Sequence, residues 1–245
     1  MSTIQEDALV LQNLISQSDN IVFFGGAGVS TESGIPDFRS VDGLYHQKYA
    51  YPPETIISAS FFERKPEEFY RFYRDKMIFR DAKPNAAHKY LYELEKCGKL
   101  KSIITQNIDG LHQMAGNRKV IELHGSIHHN HCVNCMQEYD LSYILNSKEI
   151  VPHCPHCNGI IKPDVVLYEE PLNEMDITKA LVSIQQADLL IVAGTSLVVY
   201  PAAGFINYFQ GKHLVLINRD PGQVDSRADV TIHQKVGELF SLLHI

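Results

Sequence analysis

Four of the five cysteines in this 245-residue chain stand in two pairs, Cys132-Val-Asn-Cys135 and Cys154-Pro-His-Cys157, with eighteen residues between the pairs. Two thiolates at this spacing can reach one ion from a single tight knuckle. Two such knuckles complete a tetrahedral shell, so Cys132, Cys135, Cys154 and Cys157 read as the ligands of a structural Zn2+. Four thiolates leave no open position for substrate or water, and the metal acts by folding a module that lacks a core of its own. His131, His153 and His156 flank the cysteines without the paired spacing and read as solvated neighbours. Cys97, just before Gly98, reads as a small buried residue at a helix end.

Two other clusters could carry acid–base chemistry. Thr105-Gln106-Asn107-Ile108-Asp109 brings two amides and a carboxylate to the end of one apolar run, and His124-Gly125 ends another. Each has an ordinary explanation, because Asn and Asp favour turns and an isolated His is more often structural than catalytic. The loop after Ile21–Phe24 holds Gly25, Gly26 and Gly28, and glycines directly after a buried strand let backbone N–H groups approach a phosphate. The segment Ile21–Ser40 has no Lys, so it is not a phosphate loop of the ATP- or GTP-hydrolysing kind. The dinucleotide pattern Gly-x-Gly-x-x-Gly fits Gly26 and Gly28 but meets Thr31 at its third glycine.

The elements that must position these groups alternate along the chain. Strand-like apolar runs occur at Ile21–Phe24, Ser102–Thr105, Val120–Leu123, Val165–Tyr168, Leu189–Ala193, Leu214–Ile217 and Val230–Ile232. Helical patterns cover Asp7–Gln17, a segment from Pro66 with Phe69, Phe72, Tyr73 and Met77 on one face, Asn85–Lys96 with Asn85 as its cap, Ile177–Gln186 and Val236–Leu243. Short continuous apolar strands separated by helices predict an α/β fold. We expect a Rossmann-like parallel sheet with helices on both faces, plus a small inserted zinc-binding domain. Ligands then bind outside the carboxyl ends of the strands, where the polar clusters collect. Hydrophobic residues make up 44% of the chain, enough for a substantial core, and the net charge of −7 argues against non-specific nucleic-acid binding. The N-terminus lacks a secretory pattern and no run approaches membrane-spanning length, which points to a soluble cytoplasmic protein without membrane partners.

Taken in order, these motifs resemble the sirtuin family of NAD-dependent protein deacylases, from about Ile21 to Val236. The resemblance rests on Gly26-Ala27-Gly28-Val29-Ser30, Gly34-Ile35-Pro36-Asp37-Phe38-Arg39, Gln106-Asn107-Ile108-Asp109, His124-Gly125, the four cysteines, Gly194-Thr195-Ser196 and Asn218. It implies a catalytic core over 1–245, with a Rossmann-like NAD-binding domain at 20–124 and 165–245 and a zinc-ribbon module at 125–164. It also implies that NAD is a co-substrate whose nicotinamide–ribose bond breaks while an acyl-lysine carbonyl oxygen takes C1′. The products would be free lysine, nicotinamide and 2′-O-acyl-ADP-ribose.

The implied roles follow residue by residue. His124 resembles the general base acting on a ribose hydroxyl, and Asn107 and Asp109 the pair that positions nicotinamide and ribose, with Ile108 beside them and Gln106 near the ribose hydroxyls. Gly26, Ala27, Gly28, Asp37, Phe38 and Arg39 match the cofactor loop; Gly194, Thr195 and Ser196 match the adenosine–phosphate side, Asn218 the adenine ribose and Val236 the adenine. The acyl-lysine peptide is expected as an added strand between Val165, Val166, Leu167 and Tyr168 on one side and the segment beginning at Val198 on the other.

The chain departs from the family pattern at Gly25, where Thr is common, and at Tyr168-Glu169-Glu170, where Phe-Gly-Glu is common. The Tyr-x-x-Arg pair of the succinyl- and malonyl-removing branch could align with Tyr70 and Tyr73 or with Tyr73 and Lys76; neither register supplies the Arg, and we expect preference for acetyl and other neutral acyl groups. Two alternatives use the same motifs: an NAD-dependent protein ADP-ribosyltransferase, and a non-catalytic NAD-sensing zinc-ribbon adaptor.

Overall fold

A computed structural model describes residues 2–37, 49–221 and 225–245. The first half runs α1 (Ile4–Ser16), β1 (Ile21–Gly25), α2 (Pro53–Ile56), α3 (Ala59–Arg64), α4 (Pro66–Lys76), α5 (Ala86–Lys96), β2 (Leu100–Thr105), α6 (Leu111–Ala115) and β3 (Val120–Glu122). There follow β4 (Gly125–Cys132), β5 (Glu138–Asp140), α7 (Leu141–Asn146), β6 (Ile161–Val165), α8 (Glu174–Gln186), β7 (Leu189–Ala193), β8 (His213–Ile217), β9 (Val230–Ile232) and α9 (Val236–Phe240).

Among the described residues, six strands form one parallel sheet in the order β3-β2-β1-β7-β8-β9. The period-2 alternation of β1 divides its side chains between two cores. Ile21 and Phe23 pack with Leu11, Leu91, Leu94, Leu239 and Phe240 of α1, α5 and α9, while Val22 and Phe24 pack with Ala180 and Ile184 of α8 and with Phe205 and Ile206. Both faces are covered, which is why these strands read as continuous apolar runs. The chain moves outward from β1 to β3, then returns to β7 on the other side of β1 and moves outward to β9. The crevice therefore opens between the carboxyl ends of β1 and β7, at the point where strand order reverses.

A second sheet, β5-β4-β6, is antiparallel and carries the cysteine knuckles. Its core is shared with the helices that precede β2: Ile56, Phe61, Phe62, Phe69, Tyr70 and Tyr73 pack with Ile127, Cys132, Ile144, Cys154 and Ile161. The run Val165–Tyr168 is not a strand of the parallel sheet. Val165 ends β6, and Tyr168 makes an isolated parallel bridge to Ser58. Cys97 is exposed rather than buried, because the helix end on which it sits faces solvent.

Candidate active site and metal centre

The switch point is built from two loops in backbone contact. Gly28 N–H donates to the Gly194 carbonyl at 2.8 Å, and a Cβ on Gly28 would stand 2.7 Å from Gly194 Cα. Gly194 itself has φ of +63°, in the region that favours glycine. A side chain at either position would drive the two loops apart, so their glycines let the backbones close into a cradle.

The next two strand ends extend the wall. Gln106 N–H bonds the Gly25 carbonyl at 2.9 Å, and Gln106 Oε1 accepts from the Thr195 hydroxyl at 3.0 Å. Gln106 Nε2 is buried with no partner among the described residues, a donor available to a ligand in the crevice. Ser30, 1% exposed, donates its hydroxyl to Asp109 Oδ2 at 2.7 Å and accepts from Asn107 Nδ2 at 3.1 Å. Asp109 Oδ1 also accepts from Leu111 N–H at 2.9 Å, yet burial outweighs these bonds and pushes its pKa up. Ser30 belongs to the glycine motif, but its role was not legible in the sequence because its partners lie 77 and 79 residues away.

His124 follows β3, with its Nδ1 2.9 Å from the Gln106 carbonyl. A carbonyl only accepts, so Nδ1 carries the proton and Nε2 keeps its lone pair. Burial lowers the imidazole pKa below 6.5, with the Gln106 bond partly offsetting it. The ring is thus a neutral base near pH 7. Gly125 allows the sharp departure into β4: its φ is +74°, and a Cβ there would meet the Asp164 carbonyl at 1.8 Å. The His124 carbonyl accepts from Val166 N–H at 2.9 Å, which fixes the base against the 165–168 segment.

These groups face one cavity of about 990 Å³. Its walls include Ala27, Gly28, Asp37, Gln106, Asn107, Ile108, Asp109, His124, Gly194, Thr195, Ser196, Asn218 and Val236, together with Val165, Val166, Leu167, Tyr168 and Lys76. Gly26 backs the cradle, since a Cβ there would lie 2.7 Å from Thr195 Cβ. Phe38 and Arg39 lie outside the described residues. Val198 is exposed beside the cavity, whose wall at that edge comes from Val199 and Tyr200.

Two of the acyl-pocket candidates are corrected. Tyr70 and Tyr73 are each 0% exposed and lie in the core between α4 and the cysteine module, outside the cavity wall. The Tyr70 hydroxyl donates to the Ile161 carbonyl, and the Tyr73 ring stacks on Phe69 with centroids 5.7 Å apart. Of the three, only Lys76 reaches the cavity.

The cysteine cluster suits its expected metal. All four Sγ atoms lie within 4.8 Å of one another, with Cys132 and Cys157 at 3.4 Å and Cys135 and Cys154 at 3.6 Å. Tetrahedral zinc with Zn–S of about 2.3 Å places sulfurs about 3.8 Å apart. The set contains no histidine: His131 bonds Asp164, and His153 bonds Glu149 at 2.8 Å.

The model of the Sir2 family matches residues 26–201, which span both glycine loops, His124 and the cysteines. The chain belongs to the Sir2 family. An NAD-dependent protein deacetylase of Clostridium perfringens is 59% identical over 232 residues, covering 94% of this chain and 95% of its own. Among solved structures, Sir2 with a deacetylated p53 peptide and 3′-O-acetyl ADP ribose superposes with a TM-score of 0.88 at 39% identity, covering 96% of each chain. Sir2 with a p53 peptide and NAD+ gives 0.83 at 39% identity, covering 95% of each.

Proposed function

We propose that this Sir2-family chain is an NAD-dependent protein lysine deacetylase that passes the acyl group to ADP-ribose and releases nicotinamide. One observation carries the reading: a histidine with its proton fixed on Nδ1 opens into the same cavity as the Ser30–Asn107–Asp109 cluster and a backbone-lined glycine cradle. NAD, when bound, supplies an activated ribose. The chain's own part is to bind, orient and remove a proton. Gly26, Ala27, Gly28, Gly194, Thr195 and Ser196 hold the phosphates and adenosine side without side-chain obstruction, with Asn218 and Val236 at the far end. Asn107, Asp109 and the free Gln106 amide hold the nicotinamide–ribose end. His124 Nε2 takes the proton of a ribose hydroxyl. We retain Asp37, Phe38 and Arg39 in the cofactor loop by resemblance.

The peptide takes the other end of the cavity. Tyr168 already bonds Ile57 and Ala59 through its backbone, and Leu167 N–H is held by the Glu170 carboxylate at 2.8 Å. We therefore place the main-chain pairing of the substrate chiefly on the Val198–Tyr200 side. The zinc ties the short β5-β4-β6 sheet together and has no part in the chemistry. We keep the division of the chain into 20–124 with 165–245, against 125–164, as its functional partition. Among the described residues no helix is long and apolar enough to cross a membrane. Four cysteines free of disulfides and gathered for a metal suit a reducing compartment, which supports a cytoplasmic location.

The test is incubation with NAD and an acetyl-lysine peptide, followed by mass spectrometry. Deacetylated peptide and O-acetyl-ADP-ribose in equal amounts are expected. ADP-ribosylated protein with the peptide left intact would overturn the assignment.

A further inference from the structure

Asn85 lies outside the cavity, yet it grips the loop that forms the nucleotide end. Its side-chain oxygen accepts from Ala87 N–H at 3.0 Å and caps α5. Its amide nitrogen points the other way, donating to the Val29 carbonyl at 2.7 Å and to Ser33 Oγ at 3.0 Å. Val29 closes the 3-10 turn Ala27–Val29 and Ser33 closes the turn Thr31–Ser33. One amide thus clasps both turns from behind.

Ser30 sits between the two anchor points and connects this clasp to the chemistry, because its hydroxyl joins Asn107 and Asp109. The loop's other face is the cradle, where Gly28 meets Gly194. Ser, Thr and Asp would cap α5 as well as Asn does. Asp has no donor beside the capping oxygen, and the single hydroxyl of Ser or Thr, which can accept and donate at once, is too short to reach the Val29 carbonyl from the capping position. The capping duty therefore does not explain the residue, whereas the double duty does.

We infer that Asn85 is a positioning residue for nucleotide binding: it fixes the Ala27–Ser33 loop, and through Ser30 the Asn107–Asp109 pair, in the conformation that accepts NAD. The inference rests on the NAD-dependent reading above. Asn85→Asp and Asn85→Ser keep the helix cap and remove the amide donor. In Asn85→Asp a carboxylate oxygen faces the Val29 carbonyl, and in Asn85→Ser the side chain is too short to reach it. Both variants should weaken ADP-ribose binding by calorimetry about tenfold, the scale of one or two lost hydrogen bonds, and raise KM for NAD by a similar factor. KM for the acetyl-peptide should stay within about twofold of the parent, and the melting temperature of the free protein within about 3 °C, since the cap is retained.

Two results overturn the inference. One is ADP-ribose affinity equal to the parent's in both variants. The other is a large fall in melting temperature with both KM values rising together, which would make Asn85 a folding residue only. Calorimetry reads the loop without turnover, so a parent that binds ADP-ribose but does not deacetylate refutes the deacetylase reading and leaves this one intact. A parent that does not bind ADP-ribose refutes both.

Discussion

His124 Nδ1 and the Gln106 carbonyl oxygen are 2.9 Å apart, and this one contact decides which nitrogen of the imidazole can act as a base. It couples two strand ends, β2 and β3, so the same bond that orients the ring also sets it beside Asn107 and Asp109. His124→Ala should preserve the fold and lower deacetylation by about a hundredfold or more, the usual scale of a lost general base. The parent's kcat/KM should fall on the acid side with a midpoint below 6.5, because burial lowers the His124 pKa and the base is lost only when pH falls through that value. Parent-like turnover by the alanine variant would remove His124 from the mechanism.

The cysteine cluster predicts one zinc per chain. Cys132 and Cys154 are buried in the core shared with Phe69, Tyr70 and Tyr73, so losing either ligand exposes a core as well as a metal site. Cys154→Ser should lose zinc, solubility and activity together. A zinc-free preparation with full activity and an unchanged melting curve would exclude the structural role.

Much of this arrangement was legible in the sequence, and the misses share a physical cause. Continuous apolar runs identified five of the six parallel strands closely and β2 two residues short, because burial on both faces leaves that signature. Val165–Tyr168 has the same signature for another reason. It is covered on one side by α2 and α3 and belongs partly to the antiparallel sheet. Tyr70 and Tyr73 were candidates for an acyl pocket because helical periodicity shows that a face is buried, and does not show what buries it. Here the cysteine module does. Ser30 and Asn85 act across long sequence separations through hydrogen bonds, which leave no periodic trace.

His88 and His112 predict an acid-sensitive fold. Their rings lie 4.7 Å apart, 0% and 1% exposed, and burial lowers His88 to about 4 and His112 well below 6.5. The unfolded chain then binds these protons first, so the stability they contribute is present above pH 6.5 and is lost as pH falls toward 4. His88 alone should remove about 2 kcal/mol between pH 7 and pH 5. Urea midpoints at the two pH values should drop for the parent and drop less for His88→Gln. Equal drops would mean the pair is not the cause.

The two buried tyrosines should respond in opposite ways to loss of the hydroxyl. Tyr70 donates to the Ile161 carbonyl, whereas the Tyr73 hydroxyl is buried without a partner among the described residues. Tyr70→Phe should destabilise by about 1 kcal/mol, and Tyr73→Phe should be neutral or slightly stabilising, because an unmade buried hydrogen bond is itself a penalty. Denaturant midpoints would show this, and a loss at Tyr73 as large as at Tyr70 would place a partner on its hydroxyl.

Acyl preference follows from what remains on the cavity wall once the tyrosines are removed from it. Lys76 is the cavity residue on α4, its side chain 30% exposed and its ammonium 3.1 Å from Asp75. A succinyl carboxylate would have to draw this ammonium away from Asp75 and from water, and Lys offers a compact, strongly hydrated charge in place of the planar fork that an Arg presents. The cavity wall also carries Met77, Ile57, Ile108 and Ile127, apolar groups that suit a short neutral acyl chain. On peptides of one sequence, kcat/KM should be highest for acetyl or another neutral group and at least about tenfold lower for succinyl. Lys76→Ala should leave the acetyl value within about twofold. If the succinyl value exceeds the acetyl one and collapses in Lys76→Ala, then Lys76 is a carboxylate-binding residue and the preference is reversed.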